Sequence, residues 1–368
     1  MKSYLYISKQ SVPRMWWYLS FIFGCLLVGS ILPLISDAVQ SRAIVSKSGS
    51  YISSTESHAC LTIPAAFEKI ASMYPTNIRP SVFFMRTSAF KAVFYGVPGD
   101  EMRWRQVENQ YSWKGASATL VFVGELFRRA KSKGYANIAS NGLVSPTLID
   151  IGGNMGQEAV VAGIYGFSSR TFELLPRSVD TIRLNLALNC ISEEMNAVEM
   201  AGVGKESEEI RIDTSGFTAS KAVEKGNSTD YLAKIWSMDD FFLRQEKTRL
   251  SGRPLLYKID CEGCEANAIL GSLEMLKKFP PHYILLEYSK FSNINVSVVE
   301  RLWVEFGYSR VLLVDEGDEW IKDENMSNSE PRIFRPARLS LEKGRRICEK
   351  YCDLLFIHDR ALDLGFSN

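Results

Sequence analysis

From residue 146 onward, short continuous apolar runs alternate with longer stretches of helical period, and this alternation constrains the fold more than any other feature. The runs lie in "TLIDIGG", "SRTFELL", "MNAVEMAGV", "PLLYKIDCEG", "HYILLEYS", "SRVLLVDEG" and "CDLLFIHD". Apolar runs without a polar alternate are the pattern of strands buried on both faces of a parallel sheet. Between them, "SVDTIRLNLALN", "ANAILGSLEMLKKF" and "VSVVERLWVEFG" place apolar residues at helical spacing. Alternating strand and helix predicts a doubly wound, mostly parallel α/β sheet over residues 146–368. Open sheets of this kind bind ligands in the crevice beyond the carboxyl ends of their strands, so the residues at those ends are the candidates for function.

The first expected strand runs into "DIGGNMGQEAVVAG", a glycine turn that opens a helix. Gly152, Gly153 and Gly156 let the backbone turn sharply and approach a ligand, and the helix offers free N–H groups and a positive dipole end. Asn154 lies within the same turn. The glycine order is not G-x-G-x-x-G, and Asp150 closes the strand. A carboxylate there repels a pyrophosphate and attracts a cation, which favours S-adenosylmethionine, with its ammonium and sulfonium, over NAD. The second strand ends at Glu173, about 20 residues beyond the glycines, where an acidic residue accepts hydrogen bonds from ribose hydroxyls.

The segments "LIDIGGNMG", "FELLPRSVDTIRLNLALN", "MNAVEMAGVG", "WSMDDFF", "LLYKIDCEGCEANAILG" and "ILLEYS" follow the order and spacing of the FkbM-type methyltransferases, which the chain resembles over roughly residues 147–290. The K-x-D-x-E-G-x-E block is the most specific part of that resemblance. It implies a class I, Rossmann-like fold, S-adenosylmethionine as cofactor and O-methyl transfer. Two positions depart from the family pattern. Glu173 is followed by Leu174 rather than proline, and Gly153 stands where alanine is usual.

Methyl transfer to oxygen needs an aligned nucleophile and a route for its proton. In "LLYKIDCEG" the period of two puts Lys258 and Asp260 on one face of a strand, with Glu262 in the following turn. Asp260 or Glu262 is the expected general base, and Lys258 is expected to pair with Asp260. The same two carboxylates could instead hold a divalent ion that acidifies the acceptor hydroxyl. Glu265 reads as a first-turn stabiliser of the next helix, and Glu287, near the end of "ILLEYS", is a further crevice carboxylate.

Other motifs carry less. Cys261 and Cys264 form a C-x-x-C, the pattern of a redox pair or half a zinc site, but no second pair of metal-ligand spacing accompanies it. "FPPHY" resembles the signature of amino-group methyltransferases but precedes a strand, on the wrong edge for the crevice. Asp239 and Asp240 precede the fourth expected strand and read as capping or structural residues. His58, His282 and His358 are scattered and receive no role.

The N-terminus sets the location. Met15 to Ile35 contains no charge and is long enough to span a bilayer. Lys2, Lys9 and Arg14 precede it and Asp37 follows, which orients a signal anchor with a cytosolic tail over 1–14, a transmembrane segment over 15–36 and the remainder lumenal. A cleaved signal peptide, with Ser36-Asp37-Ala38 as its site, exports the same residues. Residues 37–80 read as a stem and residues 81–145 as an N-terminal helical extension of the catalytic domain, with a helix ending at Gly134. Export to the endoplasmic reticulum or Golgi permits disulfides and suits the sequons at Asn227, Asn295 and Asn325. Cys60 with Cys348 or Cys352 is a candidate pair. The expected acceptor is a glycan, with a lipid or small metabolite as the alternative. A non-catalytic Rossmann-like binding protein is disfavoured by Asp150, Glu173 and Asp260 together. The net charge of +1, without basic runs, gives no sign of a nucleic-acid partner.

Overall fold

The computed structural model describes residues 81–86, 89–96, 118–137, 139–140, 143–213, 221–222, 230–245, 248–289, 296–315 and 351–366. Backbone contacts divide the chain into Met1–Ser57 and His58–Asn368, and all described residues belong to the second unit. The expected cytosolic tail, the membrane segment over 15–36, the stem over 37–80 and the three sequons lie outside the described residues. Among the described residues no helix is long and apolar enough to cross a membrane.

Seven strands form the central sheet: β1 (Leu148–Ile151), β2 (Ser169–Glu173), β3 (Asn196–Met200), β4 (Leu256–Ile259), β5 (Tyr283–Ser289), β6 (Arg310–Asp315) and β7 (Tyr351–Ile357). Each falls in one of the seven apolar runs. Their spatial order is β3-β2-β1-β4-β5-β7-β6. The first five are mutually parallel, whereas β7 runs antiparallel to both β5 and β6. This is the doubly wound order 3-2-1-4-5-6 with a reversed strand set between the last two. The order turns back between β1 and β4, so the crevice for a ligand lies beyond the carboxyl ends of those two strands.

Helices cover both faces. On one face α1 (Ala118–Ser132), α2 (Gln157–Ile164) and α3 (Pro176–Leu188) pack against Leu148, Leu256, Leu285 and Leu355. On the other, α4 (Glu265–Leu270), α5 (Leu273–Lys278) and α6 (Val296–Val304) pack against Ile149, Ile151, Tyr257, Ile259, Ile284 and Leu286. Because side chains alternate along a strand, Asp150, Lys258 and Glu287 share the face covered by α1–α3. The stretch expected as a single helix after β4 is broken at Gly271 and Ser272 into α4 and α5.

The extension over 81–145 is not wholly helical. Ser81–Arg86 and Lys91–Gly96 form an antiparallel hairpin, and α1 follows, ending before Gly134 at φ 75°. α1 packs on α2 and β6, and the hairpin packs on α2 and α3. Its edge is held by Asn189, the buried C-cap of α3. The amide of Asn189 accepts from the N–H of Val93 at 2.9 Å and donates to its carbonyl at 2.6 Å, standing in for a neighbouring strand. Asn189→Ala is expected to cost about 1–3 kcal/mol by leaving buried backbone groups without partners. Urea denaturation would measure the loss, and limited proteolysis would show whether the hairpin opens first.

Candidate active site

The site forms where β1 and β4 end side by side. Lys258 pairs with Asp150 across the two strands in register. Its Nζ lies 3.3 Å from Asp150 Oδ1 and 3.5 Å from Asp260 Oδ2, and it donates to the Gly152 carbonyl at 3.0 Å. Lys258 is 4% exposed and Asp150 0%. Burial opposes the Lys258 charge, but Asp150, Glu158 and Asp260 outweigh it and hold the ammonium well above its ordinary range. Burial pushes Asp150 up to about 7, against the pull of Lys258. The expected pairing of Lys258 with Asp260 is present, but the closer partner is Asp150. It lies beneath the turn, with neither oxygen accepting a well-formed hydrogen bond.

The turn is built from glycines for reasons of packing. A Cβ on Gly152, at φ 78°, would stand 1.7 Å from the carbonyl oxygen of Asp260, and one on Gly156 would strike Ile182 of α3. Gly152 therefore makes room for the end of β4. Asn154 adopts φ 48° and is exposed, and its N–H donates to Glu173 Oε2 at 2.8 Å. Glu173 Oε1 accepts from the Leu175 N–H at 2.8 Å. Glu173, buried at the end of β2, thus clamps the turn and keeps further lone pairs on its oxygens for ribose hydroxyls. Burial raises its pKa. The helix α2 that follows has Gly156 as N-cap and no side-chain cap, leaving its first N–H groups for a ligand.

Beyond β4 the chain enters a tight turn. Glu262 is exposed at φ 56° and Gly263 lies at φ 121°. A disulfide joins Cys261 and Cys264 around them. Cys190 and Cys352 are likewise disulfide-bonded. Glu265, 0% exposed, accepts from the N–H groups of Cys261 at 3.0 Å and Gly263 at 3.1 Å, the structural role its position suggests.

Glu287 and Asp353 extend the row of carboxylates. They are direct partners across β5 and β7, and Thr119 of α1 donates to Asp353. The sequence gives no hint of Asp353 because it lies near the start of its strand. Only the reversal of β7 brings an amino-terminal residue to the edge where parallel strands end. Burial, then Asp260, Glu262, Asp353 and Glu265, push Glu287 up to about 9. Its folded pKa thus exceeds the ordinary value, so the stability it contributes is complete below about pH 4.5 and is lost as pH rises towards 9. Glu287→Gln is expected to be more stable than the native chain at pH 9 by at least about 1 kcal/mol and to match it at pH 4. Urea midpoints across that range test the sign.

The other residues lie elsewhere. Asp239 accepts from the N–H groups of Glu274 and Met275 at 3.0 and 2.7 Å and so caps α5, and Asp240 pairs with Arg244 and Ser207. His282 and His358 stand before β5 and after β7, at the opposite edge, where burial pushes both down to about 4. No group of three or more His, Cys, Asp or Glu side chains among the described residues could hold a metal ion.

No family model matches the chain, and no curated protein matches it. Solved structures with some likeness include a Pyrococcus abyssi tRNA (uracil-54, C5)-methyltransferase in complex with S-adenosyl-L-homocysteine, at 10% identity and a TM-score of 0.31, over 63% of this chain and 39% of that one. A T. thermophilus 16S rRNA N2 G1207 methyltransferase in complex with AdoMet and guanosine matches at 10% identity and a TM-score of 0.34, over 76% and 50%. A human methyltransferase 10 domain containing protein matches at 11% and 0.30, over 65% and 80%. The chain thus spans half or less of the length of the first two. Scores this low leave the fold to rest on the strand order itself: a Rossmann-like, mostly parallel sheet with its crevice at the ends of β1 and β4.

Proposed function

We propose that this chain is an S-adenosylmethionine-dependent O-methyltransferase. The observation that carries the reading is the charge at the crevice edge. Glu173, Asp260, Glu262 and Asp353 stand there beside Glu287, which burial and these neighbours keep protonated, while Lys258 is drawn inward into ion pairs. Such an edge repels the pyrophosphate of a dinucleotide and attracts a sulfonium and an ammonium.

S-adenosylmethionine, when bound, supplies an electrophilic methyl group. The turn from Gly152 to Gly156, with Asn154 and the uncapped start of α2, would hold it, and Glu173 would accept from its ribose. Asp260 is the better placed general base, because its backbone abuts Gly152 in the donor turn. Its carboxylate would take the proton of an acceptor hydroxyl, with Glu262 orienting that hydroxyl from the neighbouring turn.

The acceptor we propose is a glycan met in the lumen of the secretory pathway. The apolar segment over 15–36 supports this as a signal anchor, and the disulfide-bonded cysteines suit an oxidising compartment. Calorimetry should show binding of S-adenosylhomocysteine and none of NAD; binding of NAD alone would overturn the reading. Labelled methyl donor would then be offered with neutral glycans, lipids and RNA, and transfer to one of the latter two in place of glycans would replace the acceptor. Asp260→Asn is expected to lower kcat/KM by about 10²–10⁴-fold. Full turnover in both Asp260→Asn and Glu262→Gln would remove the base from this turn.

A further inference from the structure

We infer that the Cys261–Cys264 disulfide is a positioning device for Glu262, so that methyl transfer depends on its being closed. The inference rests on the proposed role of Glu262 at the acceptor side of the crevice. Three observations meet in this turn. Glu262 is a non-glycine residue at φ 56°, a conformation that such residues rarely hold without outside support. Gly263 follows at φ 121°, so the chain bends twice in succession through conformations unfavourable to ordinary side chains. The disulfide closes directly around this pair.

Glu265 supplies a second constraint from beneath by accepting the N–H groups of Cys261 and Gly263. It fixes the backbone on either side of Glu262. The crosslink closes a four-residue loop about Glu262 and so opposes its relaxation to a right-handed or extended conformation, which would redirect its carboxylate. Cys261 and Cys264 are only half-buried, packed against the edge of the core on the α4–α6 face, and contribute little to the central packing. A purely stabilising crosslink has no need to enclose a strained, exposed carboxylate next to the candidate base.

Opening the lock is a two-electron reduction. A dithiol such as dithiothreitol gives up two electrons and two protons and becomes a disulfide, while the Sγ–Sγ bond of Cys261 and Cys264 breaks to two thiols. Because Cys190 and Cys352 are also disulfide-bonded, the selective test is the double substitution Cys261→Ser/Cys264→Ser. Its kcat/KM is expected to fall about tenfold, the factor corresponding to one left-handed non-glycine residue released, while S-adenosylhomocysteine affinity stays within about threefold. Glu262→Gln should lower turnover in the native chain and add nothing in the double-serine background. Full turnover of the double-serine variant, or losses that multiply, would overturn the inference. Hydrogen exchange gives a readout that needs no turnover. The Cys261 and Gly263 amides should exchange at least about tenfold faster in the double-serine variant. Unchanged protection sinks the inference even if methyl transfer is found, whereas faster exchange in a chain that transfers no methyl group would count against the proposed reaction alone.

Discussion

Lys258→Met is expected to destabilise the chain by about 3–5 kcal/mol and to abolish turnover. Lys258 is the buried cation between Asp150, Glu158 and Asp260. Methionine fills the same space, so the loss is not one of packing. It strands the Asp150 carboxylate, 0% exposed and without a well-formed hydrogen bond, in a medium that solvates it poorly. Asp150 must then take up a proton on folding. Its folded pKa, already about 7, rises further when the ammonium is removed. A carboxyl with a raised folded pKa contributes stability that is complete below its unfolded value of 3.8 and lost as pH rises through the folded value. The deficit of Lys258→Met should therefore shrink as pH falls from 8 to 5, which urea midpoints would show. Asp150→Asn added to Lys258→Met should restore part of the stability by removing the stranded charge. It should restore no activity, because Lys258 also ties the Gly152 carbonyl to the end of β4. A Lys258→Met variant as stable as the native chain at pH 8 would show that Asp150 does not depend on this ion pair.

How much of this was legible in the sequence follows from what periodicity reports. All seven central strands lie in apolar runs, because a strand buried on both faces has no alternative composition. Their spatial order was not legible. Periodicity carries no direction, so the reversal of β7 and its insertion between β5 and β6 left no mark, and with it Asp353 went unseen. The Lys258–Asp260 pair was legible from the period of two, but the precedence of Asp150 was not, since it depends on which strands become neighbours. Tertiary contact also reassigned the glycines. Gly152, Gly153 and Gly156 read as a cradle for a ligand, whereas the atoms that exclude a Cβ belong to Asp260, Thr171 and Ile182. The two cysteines raised the opposite problem. A C-x-x-C motif has several chemistries, and its sequence does not say that the two cysteines close around a left-handed Glu262.

Gly152→Ala is expected to prevent folding of the native sheet, at a cost above about 4–5 kcal/mol. Two effects combine. At φ 78° alanine is strained by about 1–2 kcal/mol wherever it sits. In addition the new methyl would lie 1.7 Å from the Asp260 carbonyl oxygen and 2.7 Å from its carbon, both backbone atoms at the end of a central strand. A flexible side chain could move aside, but here β4 itself would have to. The Asp260 N–H is bonded to the Ile151 carbonyl at 3.1 Å, so the strand ends cannot part without breaking the ladder that sets the crevice. Gly166→Ala separates the two effects. Gly166 has φ 82° but nothing within 4 Å of an added Cβ, so it should show the conformational strain alone and remain folded. Circular dichroism and urea denaturation of the two variants side by side give the comparison. If Gly152→Ala lost no more stability than Gly166→Ala, β1 and β4 would not meet as closely as the placement of Asp260 against the donor turn requires. Asp260 would then lose the geometric reason for its role as base.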